Sequence, residues 1–360
     1  MSKGRHVCFF TGTLNAMGGA ERMTAVIANA LADAGYTVSI LSLWDKESCF
    51  PLNPAVRHEA LFAERRSFKK AYVATVAAIR RYCRDRKVDV LVQVDTMLAL
   101  FALLATVGMG VEHIAWEHCH FDEDLGRRAR RFARRLAARY CKHVVVLTER
   151  DRLRWIEALQ PRSNVITIPN PLPFPFPGQP APRTSQTVLA MGRLVDAKGF
   201  DVLIRAWQRV SSEAPGWKLV VHGEGEERAA LTALIEEVGL QDSVSLPGIC
   251  LDATEAYRSA SIFCLSSRYE GFGLVLIEAM AFGLPIVSTD CETGPRDLLK
   301  DADNALLVSA GNAESLAQGL LQLIRKPDEA ARIGAIGRER AVDFALQDVA
   351  AKWGKLMAQM

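Results

Sequence analysis

The chain has 360 residues, 49% of them hydrophobic and 24% charged, with a formal net charge of +3. That length exceeds what one hydrophobic core organises, so two domains are expected. The start MSKGRHVCFFTG lacks an apolar run ending in a cleavage site, the stretch Thr96 to Val111 falls short of the roughly 20 residues a membrane span needs, and the eight cysteines form no C-x-x-C pair, which argues against export, a transmembrane helix and a disulfide framework. A cytoplasmic protein with reduced, buried cysteines is the expectation.

In chain order, the apolar run HVCFFTG is followed by the helical pattern AERMTAVIANALADAG and the run TVSILSL. This β-α-β rhythm implies a parallel sheet covered by helices. It continues through VDVLVQVD, EHIAWEH, HVVVLTE and NVITIPN, with Thr96 to Val111 read as a buried helix. The stretch PLPFPFPGQPAPR then carries a proline density that no helix or central strand tolerates. A linker over 173–185 is placed there, between a first domain at 1–172 and a second at 186–345. The rhythm restarts with TVLAMGRL, WKLVVHGEG, DSVSLPG, SIFCLSS, PIVSTD and NALLVSAG, giving a second doubly wound sheet. Ligands of such sheets bind beyond the carboxyl ends of the strands, so two of them facing one another would place their loops around a central cleft.

Charge divides unevenly: residues 1–170 hold 26 Lys and Arg against 17 Asp and Glu, and the remainder holds 18 against 24. Much of the excess lies in two helical patterns, Arg65 to Lys87 and Gly126 to Tyr140, the second with Phe132, Leu136 and Tyr140 at helical spacing between arginines. A solvated face, a surface for anionic lipid and a cradle for an acceptor's phosphate are all compatible with that pattern. Nucleic acid is disfavoured, because neither half shows an aromatic-interleaved binding motif.

The densest chemistry lies in SSRYEGFGLVLIEAMAFGLPIVSTDCETGPRDLL, Ser266 to Leu299. The chain bends at Gly271 and Gly273 and enters a helix whose free amides at Gly273, Leu274 and Val275 suit a diphosphate. Glu278, flanked by Ile277, Ala279 and Met280, needs hydrogen-bond donors such as ribose hydroxyls unless it lies on a solvated face. In GRLVDAKG, Arg193 and Lys198 stand five residues apart at another strand end, where both cations can converge on one pyrophosphate. Fixed cations there stabilise the charge that grows on a leaving diphosphate, a task a divalent metal would otherwise perform.

In the first half, Gly18 and Gly19 follow the first strand and open a helix without completing the G-x-G-x-x-G fingerprint, which disfavours a nicotinamide-dependent oxidoreductase. EHIAWEHCHF puts His118 and His120 on one face of a strand end, too few ligands for zinc. His118 is read as a sugar-contacting residue or a plain structural histidine.

The pair Glu270 and Glu278 in E-x7-E spacing, with Arg193, Lys198 and the GGAE turn, resembles the family 4 retaining glycosyltransferases of GT-B fold over nearly the whole chain. The resemblance implies an α/β GT-B architecture of two doubly wound Rossmann-like domains. It implies that Arg193 and Lys198 grip the donor diphosphate, Glu278 the ribose, and Glu270 with the amides of Gly271, Phe272 and Gly273 the donor sugar. It places His118 near sugar and acceptor, and Gly18 and Gly19 beside the phosphates. It also implies metal-independent front-face attack by the acceptor hydroxyl, with no cofactor beyond the nucleotide sugar. A non-catalytic sugar-nucleotide binder of the same fold is the alternative, and the intact set of Arg193, Lys198, Glu270 and Glu278 argues against it.

The turn CETGPRDLL departs from the two adjacent glycines that many members carry. It is similar to turns in bacterial enzymes that build exopolysaccharide, lipopolysaccharide or lipid-linked oligosaccharide from UDP-galactose or UDP-N-acetylgalactosamine, with UDP-glucose a further candidate donor. Such acceptors would give the basic first domain a purpose, holding the enzyme against the inner face of the cytoplasmic membrane. Changing Arg130, Arg131, Arg134 and Arg135 to Gln is then expected to release it from anionic vesicles. The C-terminal residues 346–360 are expected to form a helix that crosses back onto the first domain, anchored by Trp353.

Overall fold

In a computed structural model that describes residues 4–124, 126–250, 252–291 and 294–360, the chain divides into two compact units, 1–173 with 346–360, and 174–345. The first unit is built on seven parallel strands: β1 (His6–Thr11), β2 (Thr37–Trp44), β3 (Arg57–Phe62), β4 (Val90–Val94), β5 (Glu112–Trp116), β6 (His143–Val146) and β7 (Asn164–Thr167). Their order across the sheet is β3-β2-β1-β4-β5-β6-β7. The apolar runs occupy the middle of the sheet, where both faces are covered and a near-continuous hydrophobic strand is stable. The polar strand RHEALF, unmarked in the sequence reading, takes the edge beside β2.

The helices of this unit are α1 (Gly19–Asp33), α2 (Tyr72–Arg86), α3 (Ala99–Ala105), α4 (Arg128–Tyr140) and α5 (Glu149–Leu159). The connection from β1 to β2 steps one way across the sheet, while those from β3 to β4, β4 to β5 and β5 to β6 all step the other way. Right-handed crossovers therefore put α2, α3 and α4 together on one side and α1 on the other. The apolar stretch from Thr96 forms a short 3-10 turn and then α3, which buries Phe101, Ala102 and Ala105.

The second unit carries β8 (Thr187–Met191), β9 (Lys218–His222), β10 (Val244–Gly248), β11 (Ile262–Leu265), β12 (Ile286–Thr289) and β13 (Leu306–Val308), all parallel, in the order β10-β9-β8-β11-β12-β13. Its helices are α6 (Phe200–Glu213), α7 (Arg228–Glu237), α8 (Ala253–Arg258), α9 (Leu274–Ala281), α10 (Pro295–Leu298), α11 (Ala313–Arg325) and α12 (Pro327–Ala341). The proline-rich stretch, expected as a linker, packs on this unit from Phe174 onward. Ala181 N–H donates to the Phe282 carbonyl at 2.8 Å, and the Arg338 guanidinium lies 4.8 Å from the Phe176 ring centre. Proline removes backbone donors and stiffens the chain, which lets a segment without regular structure lie fixed against a neighbour.

The last helix, α13 (Leu346–Met357), belongs to the first unit, on the side of α1. Trp353 is fully buried there, with its ring centre 4.8 Å from Trp116 and 6.1 Å from Phe9. Of the eight cysteines, Cys8, Cys83, Cys141, Cys264 and Cys291 are buried, Cys49 is exposed, and none is bridged. No helix among the described residues is long and apolar enough to cross a membrane.

Candidate functional site

In the second unit, two loops at the carboxyl ends of adjacent strands β8 and β11 meet. The first, 192–199, ends in a 3-10 turn at Asp196–Lys198 followed by Gly199 at φ +60°. A β-carbon on Gly199 would sit 2.2 Å from the Ser266 carbonyl oxygen, so only glycine allows this approach. The two loops are then bonded to each other. Ser266 Oγ donates to the Lys198 carbonyl at 2.8 Å, Arg268 N–H to the Ala197 carbonyl at 2.8 Å, and the Arg268 guanidinium grips both Asp201 oxygens at 2.9 and 2.8 Å.

This clamp delivers Lys198 to Glu270. Lys198 Nζ donates to Glu270 Oε1 at 2.5 Å, and Ser267 Oγ donates to the same oxygen at 2.7 Å. Glu270 is buried and Lys198 keeps 22% of its side chain exposed, so the amine retains access to a ligand. Behind the pair, Thr289 Oγ1 and Cys291 Sγ both donate to the Ser267 carbonyl, at 2.6 and 3.1 Å. Burial pushes the Cys291 thiol up to about 11, which keeps it protonated and donating. Gly294, at φ +77°, presses on the same loop: a β-carbon there would lie 2.8 Å from the Phe272 carbonyl oxygen.

Arg193 stands exposed in the loop that carries Lys198. Gly273 is the N-cap of α9, after Gly271 and Phe272, and Leu274 is the first helical residue. Glu278 is buried within α9, which rules out the solvated-face reading. The structure thus gathers Lys198, Glu270, Arg193 and the start of α9 at one end of one sheet. Ser266, Ser267, Arg268, Asp201 and Thr289, which the sequence reading did not single out, hold that arrangement.

Gly18, Gly19 and His118 belong to the first unit. Gly18 is the N-cap of α1 and Gly19 its first residue, with Glu21 in the first turn. His118 follows β5, its ring 4.4 Å from that of Trp116, and its Nε2 is buried without a hydrogen-bond partner among the described residues. Burial lowers its pKa to about 4, against a smaller opposing pull from Glu117, so the ring is neutral at physiological pH. A neutral imidazole with one uncommitted nitrogen has a bond to offer a hydroxyl, although that nitrogen is closed to solvent in this conformation.

Beside it lies a buried ionic network. Arg130 grips Asp95 with both terminal nitrogens at 2.9 and 2.8 Å and reaches Glu117 Oε1 at 3.3 Å. Arg134 Nε donates to Glu117 Oε2 at 3.0 Å, and its terminal nitrogens donate to the carbonyls of His120, Phe121 and Glu123. Thr96 Oγ1 donates to Glu117 Oε2 at 2.5 Å. Despite its burial, Glu117 is held below the usual carboxylate range by the two guanidinium groups. Arg130 and Arg134 are therefore structural residues, which corrects the expectation that they form a lipid-facing surface together with Arg131 and Arg135. The i, i+4 spacing of 130 and 134 turns both toward the sheet, where Asp95 and Glu117 end β4 and β5.

Comparison with known proteins agrees with this architecture. Residues 17–174 match the model of Glycosyltransferase Family 4 and residues 176–340 that of Glycosyl transferases group 1. An uncharacterized glycosyltransferase of Haemophilus influenzae is 33% identical over 97% of this chain and 99% of its own. The chain belongs to glycosyltransferase family 4. A Campylobacter jejuni α-1,4-N-acetyl-D-galactosaminyltransferase, named for a GalNAc-containing diphospho-undecaprenol substrate, is 26% identical over 98% of both chains. Among solved structures, Alr3699/HepE of Anabaena in complex with UDP-glucose superimposes with a TM-score of 0.82 at 18% identity, over 99% of this chain and 100% of that one. The fold is GT-B, two Rossmann-like units of seven and six parallel strands.

Proposed function

We propose that the chain is a retaining, metal-independent hexosyltransferase that moves a hexose from a UDP-sugar to a glycan or lipid-linked acceptor in the assembly of bacterial surface polysaccharide or lipopolysaccharide. The observation that carries this reading is the Lys198–Glu270 pair, set by the clamp between the β8 and β11 loops beside the N-terminus of α9. The cations Lys198 and Arg193 and the amides of Gly273 and Leu274 take the diphosphate, whose charge grows as the glycosidic bond breaks. Glu270, with the amides of Gly271 and Phe272, holds the sugar hydroxyls, and Glu278 the ribose. His118 bonds a hydroxyl through its uncommitted Nε2 once that nitrogen, closed to solvent in this conformation, is uncovered. The acceptor attacks from the leaving-group face, and a donor phosphate oxygen accepts its proton, so neither glutamate acts as the nucleophile of a glycosidase.

The UDP donor is supported by the UDP-glucose bound in the Anabaena structure, and the lipid-linked acceptor by the name of the Campylobacter relative. UDP-galactose, UDP-N-acetylgalactosamine and UDP-glucose are the donors to try. Such an acceptor puts the enzyme on the cytoplasmic face of the inner membrane as a peripheral protein. A thermal-shift panel of UDP, GDP, ADP and their sugar conjugates, with and without EDTA, tests the donor site, because a ligand that binds only the folded state raises its melting temperature. Stabilisation by a UDP-hexose that survives EDTA is expected, followed by an α-linked product in the NMR spectrum of the transfer reaction. No shift with any nucleotide points instead to a subunit without donor binding, and an inverted product removes the retaining mechanism.

A further inference from the structure

The burial of Arg130 and Arg134 separates the arginines of α4 into two sets, and the outward set has its own pattern. Arg128, Arg131, Arg135 and Arg139 are exposed along one stripe, with Phe132 beside it and Tyr140 just past its end, 55% and 61% exposed, and the Arg139 guanidinium lies 5.8 Å from the Tyr140 ring centre. No acid occurs in the helix, and the nearby Asp124 pairs with Arg131 at 2.5 Å. Solvated helix faces do not spend two large aromatic rings in this way, whereas helices lying at a lipid headgroup boundary combine rings with arginines on one surface. The neighbouring α3, on the same side of the sheet, adds Leu104 and the following Val107, 54% and 63% exposed.

We infer that the outer face of α4, continued by the end of α3, docks on the surface of an anionic phospholipid bilayer, with the Phe132 and Tyr140 rings in the headgroup layer and Arg128, Arg135 and Arg139 on lipid phosphates. The occupant follows from charge and chemistry together: arginine forks suit phosphate, and the rings need an apolar layer that a soluble acidic glycan lacks. This rests on the peripheral location proposed above and names the surface responsible. α4 also supplies, from its opposite face, the Arg130 and Arg134 network that fixes the turn after His118. Docking therefore fixes the first unit to the bilayer through the same helix that shapes the strand end bearing His118.

The test is co-sedimentation with vesicles of phosphatidylglycerol and phosphatidylcholine, with no nucleotide present. Wild type is expected to bind these and to ignore pure phosphatidylcholine. The variant R128Q/R135Q/R139Q should lose about fivefold in partitioning for each charge removed. F132S/Y140S should lose about tenfold or more. Both change exposed side chains only, and unchanged melting curves confirm folding. Wild-type binding by both variants, or equal binding to neutral vesicles, overturns the inference. So does a change in self-association of F132S/Y140S by ultracentrifugation with vesicle binding intact, since a second copy then covers the face. UDP-induced stabilisation, read on the same proteins, reports the donor site independently, so its absence strikes the donor reading while leaving the docking result standing.

Discussion

Two clusters of opposite charge lie at the carboxyl ends of the two sheets, and they differ in how fully they are satisfied. In the first unit, Glu117 receives Arg130, Arg134, Thr96 and the Cys119 amide in a site closed to water. In the second, Lys198 meets Glu270 with part of its side chain still exposed. A buried ion pair offsets its desolvation only when every donor and acceptor is engaged. The first cluster engages both oxygens of Glu117 and leaves only Arg130 Nε without a partner among the described residues, and, closed to water, it is architecture. The second leaves its cation accessible, the condition for meeting a ligand's charge.

The comparison can be broken most forcefully at Arg134. Arg134→Gln leaves Glu117 buried with half its cationic support and is expected to cost about 3–5 kcal/mol, seen in the denaturation of the first unit. A loss under about 1 kcal/mol would mean the network is expendable. Lys198→Ala should instead spare folding and lower turnover on the order of 100-fold or more, as removal of one preorganised donor does. A change confined to KM would show that Lys198 binds only the ground state.

His118 sharpens the contrast by pH. Its folded pKa of about 4 lies below the ordinary value, so the unfolded chain protonates first as pH falls. Its share of stability is therefore intact above about pH 6.5 and is lost between there and about pH 4. His113, held by Gln93 and Thr106, behaves alike with a pKa of about 4, whereas Asp151, raised to about 7 chiefly by burial, acts in the opposite sense. At pH 5, His118→Asn should reduce the acid destabilisation by about 2 kcal/mol, and NMR should find the His118 ring neutral at pH 6. A ring that titrates near 6.5 would show a water-filled environment. The smallest effect is expected at Ser267: Ser267→Ala removes one donor to Glu270 and should lower kcat about tenfold, roughly 1.4 kcal/mol. An unchanged rate would mean Lys198 alone orients the carboxylate.

The sheets were legible because parallel strands buried on both faces must be apolar throughout, as in VCFF, LVQV and VVV. β3 escaped notice because an edge strand tolerates Arg57, His58 and Glu59. The Lys198 and Glu270 motifs were legible as types and spacing, while their clamp was not. Ser266, Arg268 and Asp201 act through bonds between loops some seventy residues apart, and Ser267 through a bond to Glu270 within its own loop, and such bonds leave no periodicity. In α4 the helical period was plain, yet the burial of Arg130 and Arg134 depends on acids that the sheet brings from positions 95 and 117. The alanines flanking them, Ala133 and Ala137, carried the signal for the buried side.

Because α13 closes over Phe9 and Trp116, the first half of the chain is finished by its last residues. During synthesis the amino-terminal sheet must wait while the second unit's residues are added, roughly 10–30 s at typical ribosome speeds, with the Trp353 site open to water. A premature stop between residue 345 and Trp353 would leave residues 174–345 whole and injure the first unit. Nonsense variants and proteolytic trimming near the carboxyl terminus should accordingly be recognised by the cell as damage at the opposite end of the polypeptide.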